Sequence, residues 1–367
     1  MFLRFARISP SFLFILFSFA SINAQTPTAT PPNDEEPEKV FTEEIKLNVN
    51  ATNPDGKFVA DVKREDLVIM EDGRIHQASS VRRIPANVLI LIDTGGEMRA
   101  AKSFDQTRKT ARSLIGALQT QDSVAIMQYN DRVEVVAEWT DRENALRILN
   151  SKAKFGRRSM FYSALEAATK FLQKSALDNR HLVLITDGTD SFNNLTQKDA
   201  AMKNLLTTDI NVHVISYTQM EIADIAPRTK GISTTPPPKA LPDEVAATMP
   251  PGIRDMNKAP IRITLNTDRE FLKKMRERKK SLEDGEKYLA ALARDTNGEF
   301  ILPVTNDEML DKTARIANFI DSSYVVTYAP KRALKESRSG EIRNIEVSSR
   351  RPDLLIEARR KLIVSPN

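Results

Sequence analysis

Two aspartates follow two long apolar segments and are the residues best placed to do chemistry. Asp93 follows residues 87–92 (Asn-Val-Leu-Ile-Leu-Ile), and Asp187 follows residues 182–186 (Leu-Val-Leu-Ile-Thr). Runs of this kind are typical of strands that are buried on both faces of a parallel sheet. Carboxylates at the ends of such strands lie in the crevice where open α/β sheets bind ligands. They repel each other unless a cation, a proton or a donor separates them.

The composition excludes several classes of chemistry. The 367 residues include no cysteine, which excludes disulfides, thiolate metal sites and cysteine nucleophiles. The three histidines, His76, His181 and His213, are not spaced as metal ligands or as part of a catalytic triad. A hydrophobic content of 41% and a charged content of 28% are typical of a soluble globular protein, here with room for two or three domains. Hydrolase chemistry that uses histidine therefore has little support in this sequence.

Residues 1–24 have the features of a secretory signal peptide. Arg4 and Arg7 precede the apolar residues 12–19, and Ala24 is a small residue suited to cleavage. The apolar stretch is short for a membrane span, although an uncleaved anchor is the alternative. The polar, Pro-rich residues 25–39 predict a disordered linker. We expect an exported chain, in the periplasm or secreted. Removal of the signal peptide takes away Arg4 and Arg7, so the net charge falls from +5 to +3. This mild positive charge does not indicate nucleic-acid binding.

The rest of the chain predicts two structural units. Residues 40–84 alternate in hydrophobicity and form an N-terminal β module, and the tail 330–367 predicts further strands that pack on it as a sandwich. Residues 86–329 alternate strand and helix, ending in a helix at 307–320 and a strand at 324–328. This order predicts an α/β fold with a doubly wound, mostly parallel sheet.

An insertion at residues 219–285 interrupts the alternation, which resumes with a helix at 286–295. The insertion is Pro-rich around 236–238 and ends in a basic helical stretch at 269–280. Such a stretch either contacts anionic lipid or an acidic partner, or is a solvated helix. We favour the solvated helix.

Three segments carry a family resemblance. Residues 88–98 (Val-Leu-Ile-Leu-Ile-Asp-Thr-Gly-Gly-Glu-Met), 156–165 (Gly-Arg-Arg-Ser-Met-Phe-Tyr-Ser-Ala-Leu) and 184–188 (Leu-Ile-Thr-Asp-Gly) resemble the three loop regions of von Willebrand factor A domains, in the family's order. The flanking residues 64–73 and 324–328 resemble the segments that flank this domain in exported bacterial proteins related to that family. The resemblance covers most of residues 40–367 except the insertion.

The resemblance implies a metal-ion-dependent adhesion site that binds a protein partner. In the family, hydroxyls and carboxylates of the three loops hold Mg²⁺ or Mn²⁺, rather than Ca²⁺, and an open position takes a carboxylate of the partner. The matching metal ligands here are Asp93, Glu97, Ser159 and Asp187. The matching partner contacts are Thr94, Gly95, Gly96 and Arg158.

This chain departs from the family pattern in its first loop. Gly95 and Glu97 stand where the Asp-x-Ser-x-Ser pattern has its two serines, and Ser159 replaces a threonine. Three arrangements follow from these differences. Glu97 binds the ion directly, or it turns to the helix end while water replaces the hydroxyls, or the site is empty. In the last case the domain is a structural scaffold that binds through residues 219–285.

An enzyme is the remaining alternative. Ile92-Asp93-Thr94-Gly95 also resembles the Asp-Thr-Gly loop of aspartic proteases, where two carboxylates share a proton. That mechanism needs a second equivalent loop, and Asp187-Gly188-Thr189 has a different order. The helical pattern after Gly95 also differs from the hairpins of that family, so we favour the binding protein.

Overall fold

A computed structural model describes residues 43–95, 104–192, 194–233 and 264–364. The predicted signal peptide, the linker, Gly96 and Glu97 lie outside the described residues. The strands in chain order are β1 (Ile45–Thr52), β2 (Leu67–Glu71), β3 (Arg74–His76), β4 (Ser80–Arg82), β5 (Asn87–Asp93), β6 (Ser123–Tyr129), β7 (Val133–Thr140), β8 (Arg180–Thr186), β9 (Asn211–Ser216), β10 (Ile232–Ser233), β11 (Thr264–Leu265), β12 (Phe300–Ile301), β13 (Ser323–Tyr328), β14 (Ile342–Ser349), β15 (Leu355–Ala358) and β16 (Lys361–Ile363). The α-helices are α1 (Phe104–Ala117), α2 (Arg142–Lys152), α3 (Phe161–Lys174), α4 (Leu195–Leu206), α5 (Thr218–Ile225), α6 (Arg269–Asp295), α7 (Asn306–Asp311) and α8 (Thr313–Asp321).

A six-stranded sheet forms the centre of the α/β unit. Its order is β12-β9-β8-β5-β6-β7, and every pairing is parallel except that of the edge strand β7 with β6. Alternate residues of β5 point to opposite faces, so that Ile90 packs on the side of α1, α2 and α8, and Leu91 on the side of α3, α4 and α6. Both faces are therefore buried, as the continuous apolar runs predict. The predicted α/β fold class is confirmed.

The strand order reverses beside β5. The chain moves from β5 to β6 on one side, whereas β8 and then β9 lie on the other side. Asp93 ends β5, and Asp187 follows β8 directly. The two predicted carboxylates thus flank the topological switch point, where doubly wound sheets leave a crevice for ligands.

The two ends of the described chain form the predicted β sandwich. One sheet has the order β15-β1-β13-β4 and the other β16-β14-β2-β3, so that N-terminal and C-terminal strands pair in both. Their inner faces share one core that includes Leu47, Ile69 and Ile345. The sheet that contains β1 also faces the α/β unit, where Asn48 Nδ2 donates to the carbonyls of Arg180 and Asp209.

Two elements differ from the sequence-based expectation. The strand predicted at 324–328 as the end of the central sheet is β13, which instead pairs with β1 and β4 in the sandwich. Its sheet is covered on both faces, so its apolar pattern is the same as that of a central parallel strand. The helix predicted at 286–295 begins at Arg269 instead and is continuous with the basic stretch.

The basic stretch is packed rather than free in solvent. Met275 and Leu282 of α6 are buried against Ile225 of α5, whereas Lys273 and Lys274 are exposed. The prediction of a solvated helix is therefore wrong for one face of this segment. Apolar residues at spacings of three and four mark such a face.

A buried arginine joins the two ends of the chain. Arg343 of β14 forms a salt bridge with Glu71 of β2 and donates to the carbonyls of Arg332 and Ala333. The Arg343 side chain is fully buried, so its charge depends on these partners.

Replacing Arg343 is expected to unfold the sandwich at lower denaturant concentration. Arg343→Ala leaves the Glu71 carboxylate buried without its cation, which costs about 3–5 kcal/mol. Urea unfolding followed by circular dichroism measures the change. The exposed neighbour Arg338 supplies the control, since Arg338→Ala should shift the free energy by about 0.5 kcal/mol or less. Equal effects of the two substitutions would contradict this role for Arg343.

Two buried histidines form a hydrogen-bonded chain within the central sheet. The Glu299 N–H donates to Nδ1 of His213 (3.1 Å), so His213 carries its proton on Nε2 and donates to Nδ1 of His181 (3.0 Å). Nε2 of His181 then donates to Oδ1 of Asn179 (2.9 Å). Burial lowers the pKa of His181 to about 3, and burial together with His181 lowers the pKa of His213 well below 6.5.

The histidine pair makes stability fall with acid. Below about pH 6.5 the unfolded chain gains protons on both histidines while the folded chain does not, so the free energy of unfolding decreases as the pH falls. Each histidine contributes a slope of at most about 1.4 kcal/mol per pH unit between 6.5 and its folded pKa. Urea titrations at pH 7.5, 6.0 and 5.0 should show this loss. The double variant His181→Gln/His213→Gln should show a flatter profile, and an unchanged slope would refute the assignment.

Candidate functional site

The site lies where three loops meet at the carboxyl edge of the central sheet. The first loop follows β5, the second precedes α3, and the third follows β8. Backbone hydrogen bonds join them: Gly156 N–H donates to the Thr94 carbonyl, and Ser191 N–H donates to the Ser159 carbonyl. In return, the Ser159 N–H donates to Ser191 Oγ (2.8 Å). The loops therefore hold one another at fixed distances.

Two of the predicted metal ligands meet in this site. Asp93 is buried, and its Oδ1 accepts a hydrogen bond from the Gly95 N–H (2.9 Å). Ser159 Oγ lies 3.5 Å from Asp93 Oδ2 and donates to the Thr189 carbonyl (3.1 Å). The first and second loops thus bring a carboxylate and a hydroxyl together, as the sequence predicts.

The third predicted ligand, Asp187, is already bound on both oxygens. Its Oδ1 accepts hydrogen bonds from the Thr189 N–H (2.9 Å) and hydroxyl (2.6 Å). Its Oδ2 accepts from the guanidinium of Arg278 at 2.9 Å. The Asp187 side chain is 4% exposed, so this ion pair is largely shielded from water. Arg278 lies in the basic stretch, and sequence patterns alone gave no reason to connect it with the third loop.

A buried tyrosine completes the floor of the site. Tyr129 ends β6 opposite Asp93, and its hydroxyl lies 2.6 Å from Thr186 Oγ1. Burial, followed by the charge of Asp93, raises the pKa of Tyr129 well above 10. The phenol therefore stays protonated and supplies a neutral hydrogen-bonding group beneath the loops. Its position at the end of the strand next to Asp93 is the only sequence signal for this role.

The predicted partner contacts differ in exposure. Thr94 is fully buried, and its hydroxyl donates to the Tyr129 carbonyl. Gly95 is buried as well, whereas Arg158 is exposed with its guanidinium over the ring of Phe192. Thr94 and Gly95 therefore shape the first loop, and Arg158 alone among the described residues of this set faces solvent. Gly96 lies outside the described residues.

The described oxygens do not fit a divalent ion held by all three loops. Mg²⁺ requires near-octahedral oxygen coordination, and a guanidinium occupies Oδ2 of Asp187. Within the described ranges, no group of three or more His, Asp or Glu side chains is arranged to hold a metal. The ligand role of Glu97 remains a prediction, because that residue is outside these ranges.

A groove of about 570 Å³ runs beside the third loop, between α4 and α6. Tyr162 and Tyr288 line it, and the ammonium of Lys198 lies 4.9 Å from the Tyr288 ring. Asp190 and Asp284 add negative charge beside that lysine. The mixed charge does not favour ligands of one sign.

The sequence and the fold can be compared with known proteins. Residues 87–237 match the family model of the von Willebrand factor type A domain. No curated protein is significantly similar to the chain.

Solved structures give distant similarities. The conserved hypothetical protein BatB from Bacteroides thetaiotaomicron is 16% identical and has a TM-score of 0.39, and the match covers 64% of this chain and 98% of the BatB chain. A von Willebrand factor type A protein from Catenulispora acidiphila is 9% identical, covers 89% and 74%, and has a TM-score of 0.40. Proximal thread matrix protein 1 from the mussel byssus, described with a zinc-occupied MIDAS motif, is 10% identical, covers 36% and 35%, and has a TM-score of 0.32.

These identities and TM-scores are too low to carry an argument about function. The family match coincides with the residues that build the switch point and all three loops. The chain therefore contains a von Willebrand factor type A domain.

Proposed function

We propose that this chain is an exported, non-enzymatic protein that binds another protein through the carboxyl edge of its central sheet. The family match supports a protein-interaction role. The features of residues 1–24 support export to the periplasm or beyond. No helix of the described residues is long and apolar enough to span a bilayer.

The observation that carries the proposal is an exposed apolar and basic surface around the loops. We call it the rim and define it as Phe155, Arg157, Arg158 and Phe192. Phe155 is 52% exposed and Phe192 is 54% exposed, and both lie on loops that the hydrogen bonds described above hold in place. Arg158 lies 5.5 Å from the centre of the Phe192 ring. Exposed aromatic side chains beside arginine are the composition of protein-binding hot spots.

The charge of the rim favours an acidic partner. Lys152, Lys154, Arg157 and Arg158 are all exposed within seven residues. Two acids lie nearby: Asp190 accepts a hydrogen bond from the Phe192 N–H, and Asp131 accepts from the backbone N–H groups of Arg157 and Arg158, which lower its pKa. The Asp131 carboxylate holds the loop and also offsets part of the positive charge of the two arginines, so the four cations leave an excess of positive charge at this edge. An acidic protein surface would therefore be attracted and steered to this edge.

The geometry does not favour the protease alternative. Its mechanism requires two carboxyl groups that share a proton, whereas Oδ2 of Asp187 is bonded to the Arg278 guanidinium. The two histidines of the central sheet are buried in their own hydrogen-bonded chain and do not supply a base to the loops. The rim residues include none of the predicted metal ligands.

A second surface supports the alternative of a scaffold that binds through residues 219–285. The short strands β10 and β11 pair Ile232 with Leu265, and these side chains are 65% and 71% exposed. Two adjacent exposed aliphatic residues provide a small contact surface. Contact with anionic lipid through the basic face of α6 is a weaker alternative, because the opposite face of that helix is packed within the domain.

Matched surface variants distinguish the two binding surfaces. The immobilised mature protein is used to capture partners from envelope extract. Phe155→Ser/Phe192→Ser should reduce the captured partner at least about tenfold, since truncation of aromatic hot spots costs 2 kcal/mol or more. Ile232→Ser/Leu265→Ser and Ile75→Ser, which alters an exposed residue of the β module, should leave capture unchanged. Loss of capture only in the Ile232→Ser/Leu265→Ser variant would instead support the scaffold.

A further inference from the structure

Two buried carboxylates at the switch point require compensation. Asp93 is 1% exposed and Asp187 is 3% exposed. They stand at the carboxyl ends of β5 and β8, which are neighbouring parallel strands. Burying an unpaired charge is costly, so each carboxylate must have a cation or hydrogen-bond donors close by. At Asp187, the described residues supply a permanent cation from another part of the chain.

That cation is Arg278, in the third turn of α6. Nη2 of Arg278 donates to Asp187 Oδ2 (2.9 Å), and Nη1 donates to Thr189 Oγ1 (2.8 Å). Thr189 Oγ1 itself donates to Asp187 Oδ1 (2.6 Å). The planar guanidinium therefore binds the carboxylate and the hydroxyl of the third loop at once, a fork geometry that a lysine could not reproduce.

Close backbone packing positions the arginine. Gly285 lies seven residues, or about two turns, after Arg278 and so faces the same side of α6. A Cβ atom at Gly285 would lie 2.8 Å from the Asp187 carbonyl oxygen. Gly188 has a φ of +69°, and its Cβ would lie 2.8 Å from the side chain of Leu289. Because the helix and loop touch through these two glycines, the Arg278 side chain reaches Asp187.

Residue 95 of the first loop has no room for an added side chain. A Cβ atom at Gly95 would lie 1.8 Å from the Arg158 carbonyl oxygen, so the second loop occupies the space of a side chain there. A serine hydroxyl at residue 95 could not be accommodated without moving the second loop. The site thus lacks a hydroxyl where the family pattern has its first serine, and it has a guanidinium at the third loop.

We propose that Arg278 takes the place of the divalent cation in this domain. Its guanidinium neutralises Asp187 and fastens the third loop to α6, so the loops are held in their binding arrangement without a metal. Partner capture at the rim is then insensitive to chelators. Only this last consequence rests on the proposed function, because the role of Arg278 can be tested on the isolated protein.

The first experiment measures thermal unfolding of the mature protein in EDTA, in millimolar Mg²⁺ and in millimolar Mn²⁺. The expected result is one Tm in all three conditions, because the protein has no ion to lose. A Tm that rises with Mg²⁺ or Mn²⁺ and no longer rises in an Asp93→Asn variant would overturn the proposal. This experiment needs no variant at Arg278 to fold.

The second experiment tests whether Arg278 acts through its charge on Asp187. Arg278→Gln should lower the Tm by several degrees, since it leaves a buried carboxylate without its cation. Asp187→Asn should lower the Tm of the wild-type protein but raise that of Arg278→Gln, because a neutral amide needs no cation. Lys274→Gln, at an exposed position of the same helix, is the control and should change little.

The outcomes separate this proposal from the proposed function. Additive effects of Arg278→Gln and Asp187→Asn, or an unchanged Tm in Arg278→Gln, would refute the role of Arg278. Failure of the Phe155→Ser/Phe192→Ser variant to alter partner capture would instead refute binding at the rim. If both proposals hold, the amount of captured partner is the same in EDTA and in Mg²⁺.

Discussion

The structure depends on how two carboxylates remain buried at the carboxyl edge of the central sheet. A doubly wound sheet places the ends of β5 and β8 side by side at the point where the strand order reverses. Asp93 and Asp187 therefore enter the same crevice, where neither can keep its hydration. Hydrogen-bond donors from the loops satisfy part of this demand. At Asp187, the guanidinium of Arg278 on α6, about ninety residues later in the chain, also compensates the buried negative charge.

This demand explains packing features away from the carboxylates. Arg278 can reach Asp187 only if α6 lies directly on the third loop, and the approach is possible because residues 188 and 285 lack side chains. The same helix continues into the core with Leu289 and Leu292 beneath the sheet. The helix begins in the insertion, yet both its first half and its second half pack against the domain. The part of the insertion that lies in α6, residues 269–285, is therefore anchored to the site.

Much of the fold was predictable because it follows from local patterns. The strands β5, β6 and β8 are continuous apolar runs, and the alternation with helices indicated a wound sheet. Pairing of both chain ends in one sandwich was predictable because neither end can bury its apolar face alone. The place of β13 was not predictable, since a strand between a sandwich core and a neighbouring domain has the same pattern as a strand inside a parallel sheet.

The candidate site was predictable in its loops and not in its chemistry. The order of the three segments gave the positions of Asp93, Ser159 and Asp187, whereas the partner of Asp187 depends on a long-range contact that leaves no local signal.

Gly95 shows why a motif alone was insufficient. The loss of a hydroxyl there left three arrangements of the metal site open, and in the structure the space of that side chain is filled by the Arg158 carbonyl. Arg158 makes that backbone contact and also places its guanidinium over the ring of Phe192. The backbone packing that leaves no room for a side chain at residue 95 thus also fixes the exposed loop, and the proposed recognition uses the surface around the loops instead of a buried ion.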